Sequence, residues 1–192
     1  HAVCAFNVFD ETSMRAVLAA ASEVGAPVIV QTSSIVARRL GPGLVAAMFR
    51  ELAKGTMTGA ALQLDHCSDL GLVSACLDAR WDAVLFDGSA LDPADNARLT
   101  AEVVAEAHRC GVAVEGELES IRGVEAGVDT VSRPRSTIEA MVAFIEATGV
   151  DAFAPSIGNI HGHTTAASSI DMALARELGA VSPVPLVLHG GS

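Results

Sequence analysis

Four histidines in this chain sit at or just beyond the ends of short apolar runs: His66, His161, His163 and His189. Three neutral imidazoles with a fourth position open to water or substrate make a common catalytic zinc site, and the open position polarises a carbonyl. Taken singly, each is as well read as a hydrogen-bonded loop histidine. Three of them on consecutive or nearby run ends of one convergent face favour a metal. His1 opens the chain and His108 sits among polar residues of a helical stretch, so neither is assigned a role. Carboxylates occupy the same kind of position. Asp65 precedes His66, Asp87 follows Ala83–Phe86, and Glu115 and Glu117 close the run Val112–Glu117. Two residues apart in a strand, Glu115 and Glu117 share one face. Like charges that close call for a nearby cation or for hydrogen bonds of their own.

The elements that must position these groups are legible as alternation. Apolar runs at Val3–Val8, Pro27–Gln31, Ala60–Leu64, Ala83–Phe86, Val112–Glu117, Ala152–Ile157 and Leu186–Leu188 predict strands covered on both faces. Between them lie amphipathic stripes. Met14, Val17, Leu18, Ala21 and Val24 stop at Gly25, and Leu44, Val45, Met48, Phe49 and Leu52 stop near Gly55. Leu72, Val73, Cys76 and Leu77 form a shorter stripe, and Asp92-Pro93 opens another. Ser136-Thr-Ile-Glu139 has capping-box spacing before Met141, Val142 and Ile145, while Met172, Leu174, Ala175 and Leu178 make the last. Ser120–Arg135, rich in Gly, Arg and acidic residues, reads as a loop. Seven strands alternating with helices predict an α/β fold with a parallel sheet. No G-x-G-x-x-G follows the first run, which weighs against a dinucleotide-binding open sheet. Polar residues at every strand end favour a (β/α)8 barrel, whose strand ends form one catalytic mouth.

Composition narrows the chemistry. The 192 residues carry 12 Lys+Arg against 23 Asp+Glu, a formal net charge of −11, which disfavours a nucleic-acid surface. Only one of the 12 cations is a lysine, Lys54, placed before Gly55 at the end of a helical stripe. It reads as a helix C-terminal surface cation, not as the lysine of an imine mechanism. Four cysteines without a C-x-x-C pair suggest a reducing cytoplasm. No run reaches the roughly 20 residues of a spanning helix, and no signal peptide is visible.

Ala5-Phe-Asn-Val8, Leu64-Asp-His66, Phe86-Asp-Gly-Ser89, Asn96 with Thr100, Glu115-Gly-Glu-Leu118, Ile157-Gly-Asn-Ile-His-Gly162 and Pro185-Leu-Val-Leu-His-Gly-Gly-Ser192 occur in this order. The set resembles the class II, metal-dependent ketose-bisphosphate aldolases, the fructose- and tagatose-bisphosphate group. The resemblance covers nearly the whole chain. It implies a TIM barrel with seven strands present and the eighth missing, a single domain over residues 1–192 that is incomplete at both ends. A barrel of this kind runs to about 250 residues.

The implied activity is reversible retro-aldol cleavage of a phosphorylated ketose to dihydroxyacetone phosphate and an aldehyde, through a metal-stabilised enediolate. His66, His161 and His189 match the ligands of Zn2+ or another divalent metal. Glu117 resembles a ligand of an alternative metal position and Asp87 an accessory contact, although a structural role tying loops suits Asp87 better. Asp65 matches the residue that exchanges a proton with the C4 hydroxyl; orienting His66 is its other reading. Glu125, in Arg122-Gly-Val-Glu125, resembles the glutamate that handles the C3 proton. Gly162, Gly190 and Ser192, with Ser33 as a weaker match, correspond to the phosphate site, where a monovalent cation also binds. The resemblance further implies a cytoplasmic homodimer or homotetramer, with no nucleic-acid or membrane partner. Glu119 departs from the family pattern, which has a small residue there. Two rival readings remain at this stage: a metal-dependent hydrolase using His161-Gly-His163, and a catalytically inactive barrel kept for binding.

Overall fold

The structure is a computed structural model that describes residues 2–56, 58–125, 128–130, 135–162 and 170–190. The chain falls into two units, residues 1–85 with 107–113, and residues 86–106 with 114–192.

Unit one opens with β1 (Cys4–Asn7), α1 (Glu11–Val24), β2 (Val28–Ser33), α2 (Ser34–Leu40), α3 (Pro42–Ala53), β3 (Ala60–Cys67) and α4 (Leu70–Asp78). Most of β4 (Ala83–Phe86) belongs here too. β1, β2 and β3 are parallel, in a register that sets Asn7 beside Gln31 and Ser33 beside Asp65. Helix ends follow from local chemistry. Asp10 accepts from the Ser13 amide at 2.8 Å and the Ser13 hydroxyl reaches back, while Gly25 at φ 67° ends α1. Asp69 accepts from the amides of Gly71 and Leu72 to start α4. Arg38, 2.8 Å away, holds the Asp69 carboxyl below the usual carboxylate range, with those amides adding to the effect. Met14, Val30, Val45, Leu64, Cys76 and Trp81 are buried at 1% exposure or less. The indole nitrogen of Trp81 donates to the Pro42 carbonyl, so its large apolar body is buried without an orphaned N–H.

Unit two holds most of α5 (Pro93–Cys110) and of β5 (Ala113–Glu117), followed by β6 (Arg122–Glu125), β7 (Val128–Thr130), α6 (Ile138–Thr148), β8 (Ala152–Ala154), β9 (Ile160–His161) and α7 (Met172–Val181). β5 pairs parallel with β8, Glu115 beside Ala152 and Glu117 beside Ala154. Met141, Phe144, Ile145 and Phe153 are buried, and the two phenylalanine rings meet at 6.0 Å.

The α/β class stands as expected, with six parallel strands in the main sheet where seven were expected. The seventh, at Leu186–Leu188, is reduced to one parallel bridge, in which Phe153 donates to the Pro185 carbonyl and accepts from the Val187 amide. Pro183 and Pro185 lack the N–H that a longer ladder needs on this side. Ser120–Arg135, read as a loop, contains the antiparallel pair β6–β7. Helix α2 was not foreseen. Thr137, not Ser136, caps α6, because the Ser136 amide is engaged by the Glu119 carboxylate. Lys54 is the C-cap of α3, exposed and paired with Glu51, as expected. No described helix is long and apolar enough to cross a membrane.

Burial, with the neighbouring Cys67 adding to it, pushes the Cys76 thiol up to about 12, so it stays protonated throughout the neutral range. Native protein treated with a thiol reagent at pH 8 is therefore expected to be modified at exposed Cys4 and spared at buried Cys67 and Cys76. Peptide mapping checks it; rapid labelling of Cys76 in folded protein would contradict the packing.

Candidate functional site

In unit one the chemistry gathers where the parallel strands end. Asn7, the last residue of β1, donates from Nδ2 to Asp65 Oδ2 at 2.7 Å. The other oxygen, Oδ1, is buried and has no hydrogen-bond partner among the described residues. A carboxylate anchored through one oxygen and desolvated at the other is costly without a ligand. Two residues earlier on β3, Gln63 Oε1 accepts from Gln31 Nε2 at 3.2 Å, a buried amide pair on the face of the strand that carries Asp65. His66 is 7% exposed and adopts φ 35°, a left-handed conformation that costs a side-chain-bearing residue energy. Such strain is held where a side chain must be aimed.

In unit two the positioning strand is β5. Glu115 and Glu117 lie on one face, and Gly116 between them lies on the other. A Cβ at Gly116 would stand 2.8 Å from Val150 Cγ1 and 3.2 Å from Phe144 Cε1, so only glycine lets the strand pack this closely. Glu115 Oε1 is 2.7 Å from His189 Nε2, with both residues buried. Glu117 Oε1 accepts from the Ile121 amide at 3.1 Å. Asp87 Oδ1 accepts from the Ser89 amide and hydroxyl, and that hydroxyl is 2.9 Å from the Ser120 hydroxyl.

The His161 and His189 rings lie 5.7 Å apart, and each offers a nitrogen within 4.8 Å of the other's. Asp87 and Glu117 likewise each offer a carboxylate oxygen within 4.8 Å of the other's. Imidazole pairs and carboxylate pairs at this spacing are donors of the kind a divalent transition metal takes.

The sequence profile described as class-II fructose-bisphosphate aldolase matches residues 1–192. The chain belongs to that family. Its members are lyases. A fructose-bisphosphate aldolase from Streptococcus pyogenes is 36% identical over all of this chain and 66% of its own length. The D-tagatose-1,6-bisphosphate aldolase subunit GatY of Klebsiella oxytoca is 34% identical, and a sulfofructosephosphate aldolase of Alkalicoccus urumqiensis 31%; each covers all of this chain and 68% of the relative. The crystal structure of the YdjI aldolase from Escherichia coli K12 matches with a TM-score of 0.85 at 27% identity, over all of this chain and 68% of that one. A Coccidioides immitis crystal structure gives 0.91 at 26% identity, over 98% of this chain and 68% of its own.

Set against the aldolase resemblance, unit two brings His161 to His189 and Asp87 to Glu117, and unit one places Asp65 and His66 side by side at the end of β3. Gly162 and Gly190 both have positive φ, 78° and 61°. Ser33 caps α2, its hydroxyl accepting from the Val36 amide. Glu125 ends β6. Ser192 and His163 lie outside the described residues. Asp87 is bonded within its own loop to Ser89.

Three supporting residues had no role in the sequence reading: Asn7 as the anchor of Asp65, Glu119 and Asn96. Glu119, 5% exposed, joins the end of β5 to the Ser136 amide, closing the base of the segment that holds Glu125. Asn96 is fully buried and donates from Nδ2 to the carbonyls of Glu117, at 2.9 Å, and Leu118, at 3.3 Å, while its oxygen accepts from the Thr100 hydroxyl. An isolated Asn at the start of a helix carries no signal of a bond 21 residues away.

Replacing Asn96 by Ala leaves two buried carbonyls short of their donor. The expected loss is about 1–3 kcal/mol in urea-induced unfolding, with an unchanged m-value; a loss of a few tenths would show that water takes over the amide's role.

Proposed function

We propose that this family member is a zinc-dependent aldolase that cleaves a phosphorylated ketose to dihydroxyacetone phosphate and an aldehyde. The observation that carries the reading is the His161–His189 pair, with Glu115 on the outer nitrogen of His189. By the aldolase resemblance we assign His66 to the same metal, and Glu117 with Asp87, whose carboxylate oxygens lie within 4.8 Å of each other, to its alternative position. The donor set fits a divalent metal: imidazole nitrogens, carboxylates near enough to offset the cation's charge, and Glu115 bonded to the His189 ring. When bound, such a metal supplies an electrophile for the substrate's ketone oxygen.

The chain's own residues do the rest. Glu115, 2.7 Å from His189 Nε2, orients the His189 ring. Asn7 holds Asp65 by Oδ2, so Oδ1 is the atom that takes the proton from the C4 hydroxyl in cleavage and returns it in the reverse direction. Glu125 moves the proton at C3. The backbone amides of Gly162 and Gly190, with Ser192 and Ser33, receive the phosphate, beside a monovalent cation. The surface position of Lys54 supports the metal route over an imine route. The TM-scores to aldolase structures support the (β/α)8 barrel as the complete architecture. The same reading places the enzyme in the cytoplasm as a homodimer or homotetramer.

A coupled assay for triose phosphate, run on fructose, tagatose and sulfofructose phosphates, tests it. Dialysis against a chelator is expected to abolish turnover and added zinc to restore it. Asp65→Asn is expected to lower kcat by about 10²–10⁴-fold with little change in KM. Full activity after chelation, or a borohydride-trapped adduct at Lys54, would overturn the mechanism.

A further inference from the structure

β6 and β7 form an antiparallel pair, and β6 also runs parallel to β9, giving the order β7-β6-β9. The register sets Arg122 beside Ile160 and Gly123 beside His161. The approach is close: a Cβ at Gly123 would overlap the His161 carbonyl oxygen and stand 2.8 Å from the His161 amide nitrogen. These are backbone atoms, which cannot swing aside as the end of a side chain can. Gly123 also adopts φ 126°, outside the range side-chain-bearing residues favour. Gly190 presses on the same dipeptide: a Cβ there would overlap the Ile160 carbonyl oxygen and lie 3.0 Å from the His161 nitrogen. Ile160–His161 is thus a two-residue strand with a glycine backbone against it from two separate segments.

We propose that Gly123 is a positioning residue for His161. Resting on the reading of His161 as a metal donor, the inference is that bare backbone contact at Gly123 fixes where His161 stands. It also joins the segment bearing Glu125, two residues further along β6, to the strand bearing the donor. The proton-handling segment and the metal donor then hold one alignment. Any side chain at 123 must push β6 off β9, and His161 loses its support.

The test compares Gly123→Ala with Gly149→Ala. Gly149 also has positive φ, 72°, but a Cβ there meets only Val104 at an ordinary 3.7 Å, so it controls for backbone strain without a clash. In metal-free protein, hydrogen exchange over residues 158–162 is expected to quicken at least about tenfold in Gly123→Ala and to stay near wild type in Gly149→Ala. Zinc affinity, measured by chelator competition, is expected to fall roughly 10–100-fold in Gly123→Ala alone. Wild-type exchange and wild-type zinc affinity in Gly123→Ala would overturn the proposal. Should wild-type protein take up no zinc, the metal reading fails, and the exchange measured without metal still decides the positioning role. Protection of α6 reports whether the variant is folded. Should it be lost, wild-type protein in low urea decides: residues 122–125 and 158–162 must open together, and independent opening would overturn the proposal.

Discussion

Burying negative charge is the constraint around which unit two is arranged. Glu115, Glu117 and Glu119 fall within five residues, and each is 5% exposed or less. Taking a carboxylate out of water costs several kcal/mol unless it is paired or well hydrogen-bonded. Each of the three is met differently: Glu115 by the His189 ring, Glu117 by the Ile121 amide, Glu119 by the Ser136 amide. Two of these partners are backbone N–H groups beyond the strand, so the chain must turn back toward its carboxylates. The intervening residues serve the opposite face. Gly116 admits Val150 and Phe144, and the carbonyls of Glu117 and Leu118 are taken by Asn96. Several polar atoms of the strand end are engaged by these bonds, while Glu119 Oε2 is buried with no hydrogen-bond partner among the described residues. The same concentration of acid beside neutral imidazoles is what makes it a place for a cation.

The fold was legible where one local rule decided it. Short apolar runs marked β2, β3 and β4, and Val112–Val114 led into β5, because both faces of a parallel strand are covered and no alternation is needed. Asp92-Pro93 and Gly25 marked helix ends because a cap is a contact between residues a few positions apart. The candidate site was legible for a related reason. Polar groups immediately after apolar runs stand at the ends of parallel strands, where backbone pairing stops and side chains can converge on a ligand.

The rest depended on contacts too distant for sequence spacing to encode. Residues 122–130 lack apolar periodicity, and β6 is a strand through its pairing with β7 and with β9, the latter nearly forty positions along. Thr137 replaces Ser136 as a helix cap because Glu119, 17 residues earlier, captures the Ser136 amide. In both cases a long-range hydrogen bond displaced what the local sequence preferred. The shortened seventh strand is the converse case. Its apolar residues read as a strand, but Pro183 and Pro185, which precede it, lack the N–H groups that would extend the ladder.

Asp65 and His161 are held in place by contrasting means, and this bears on how family members named for different sugars share a fold. Asp65 is set by a side-chain bond from Asn7, so its placement depends on one amide and on the register between β1 and β2 and between β2 and β3. His161 is set by backbone against backbone, which depends on the absence of side chains at 123 and 190. Both glycines lie in segments that follow strand ends, so those segments can change only where bare backbone is kept at 123 and 190. Glu119 marks the boundary of that freedom. It lies just past the strand where the family pattern has a small residue, yet its carboxylate is committed to the Ser136 amide. A substitution at 119 would therefore act first on how residues 120–135 are anchored, and on substrate preference only through that anchoring.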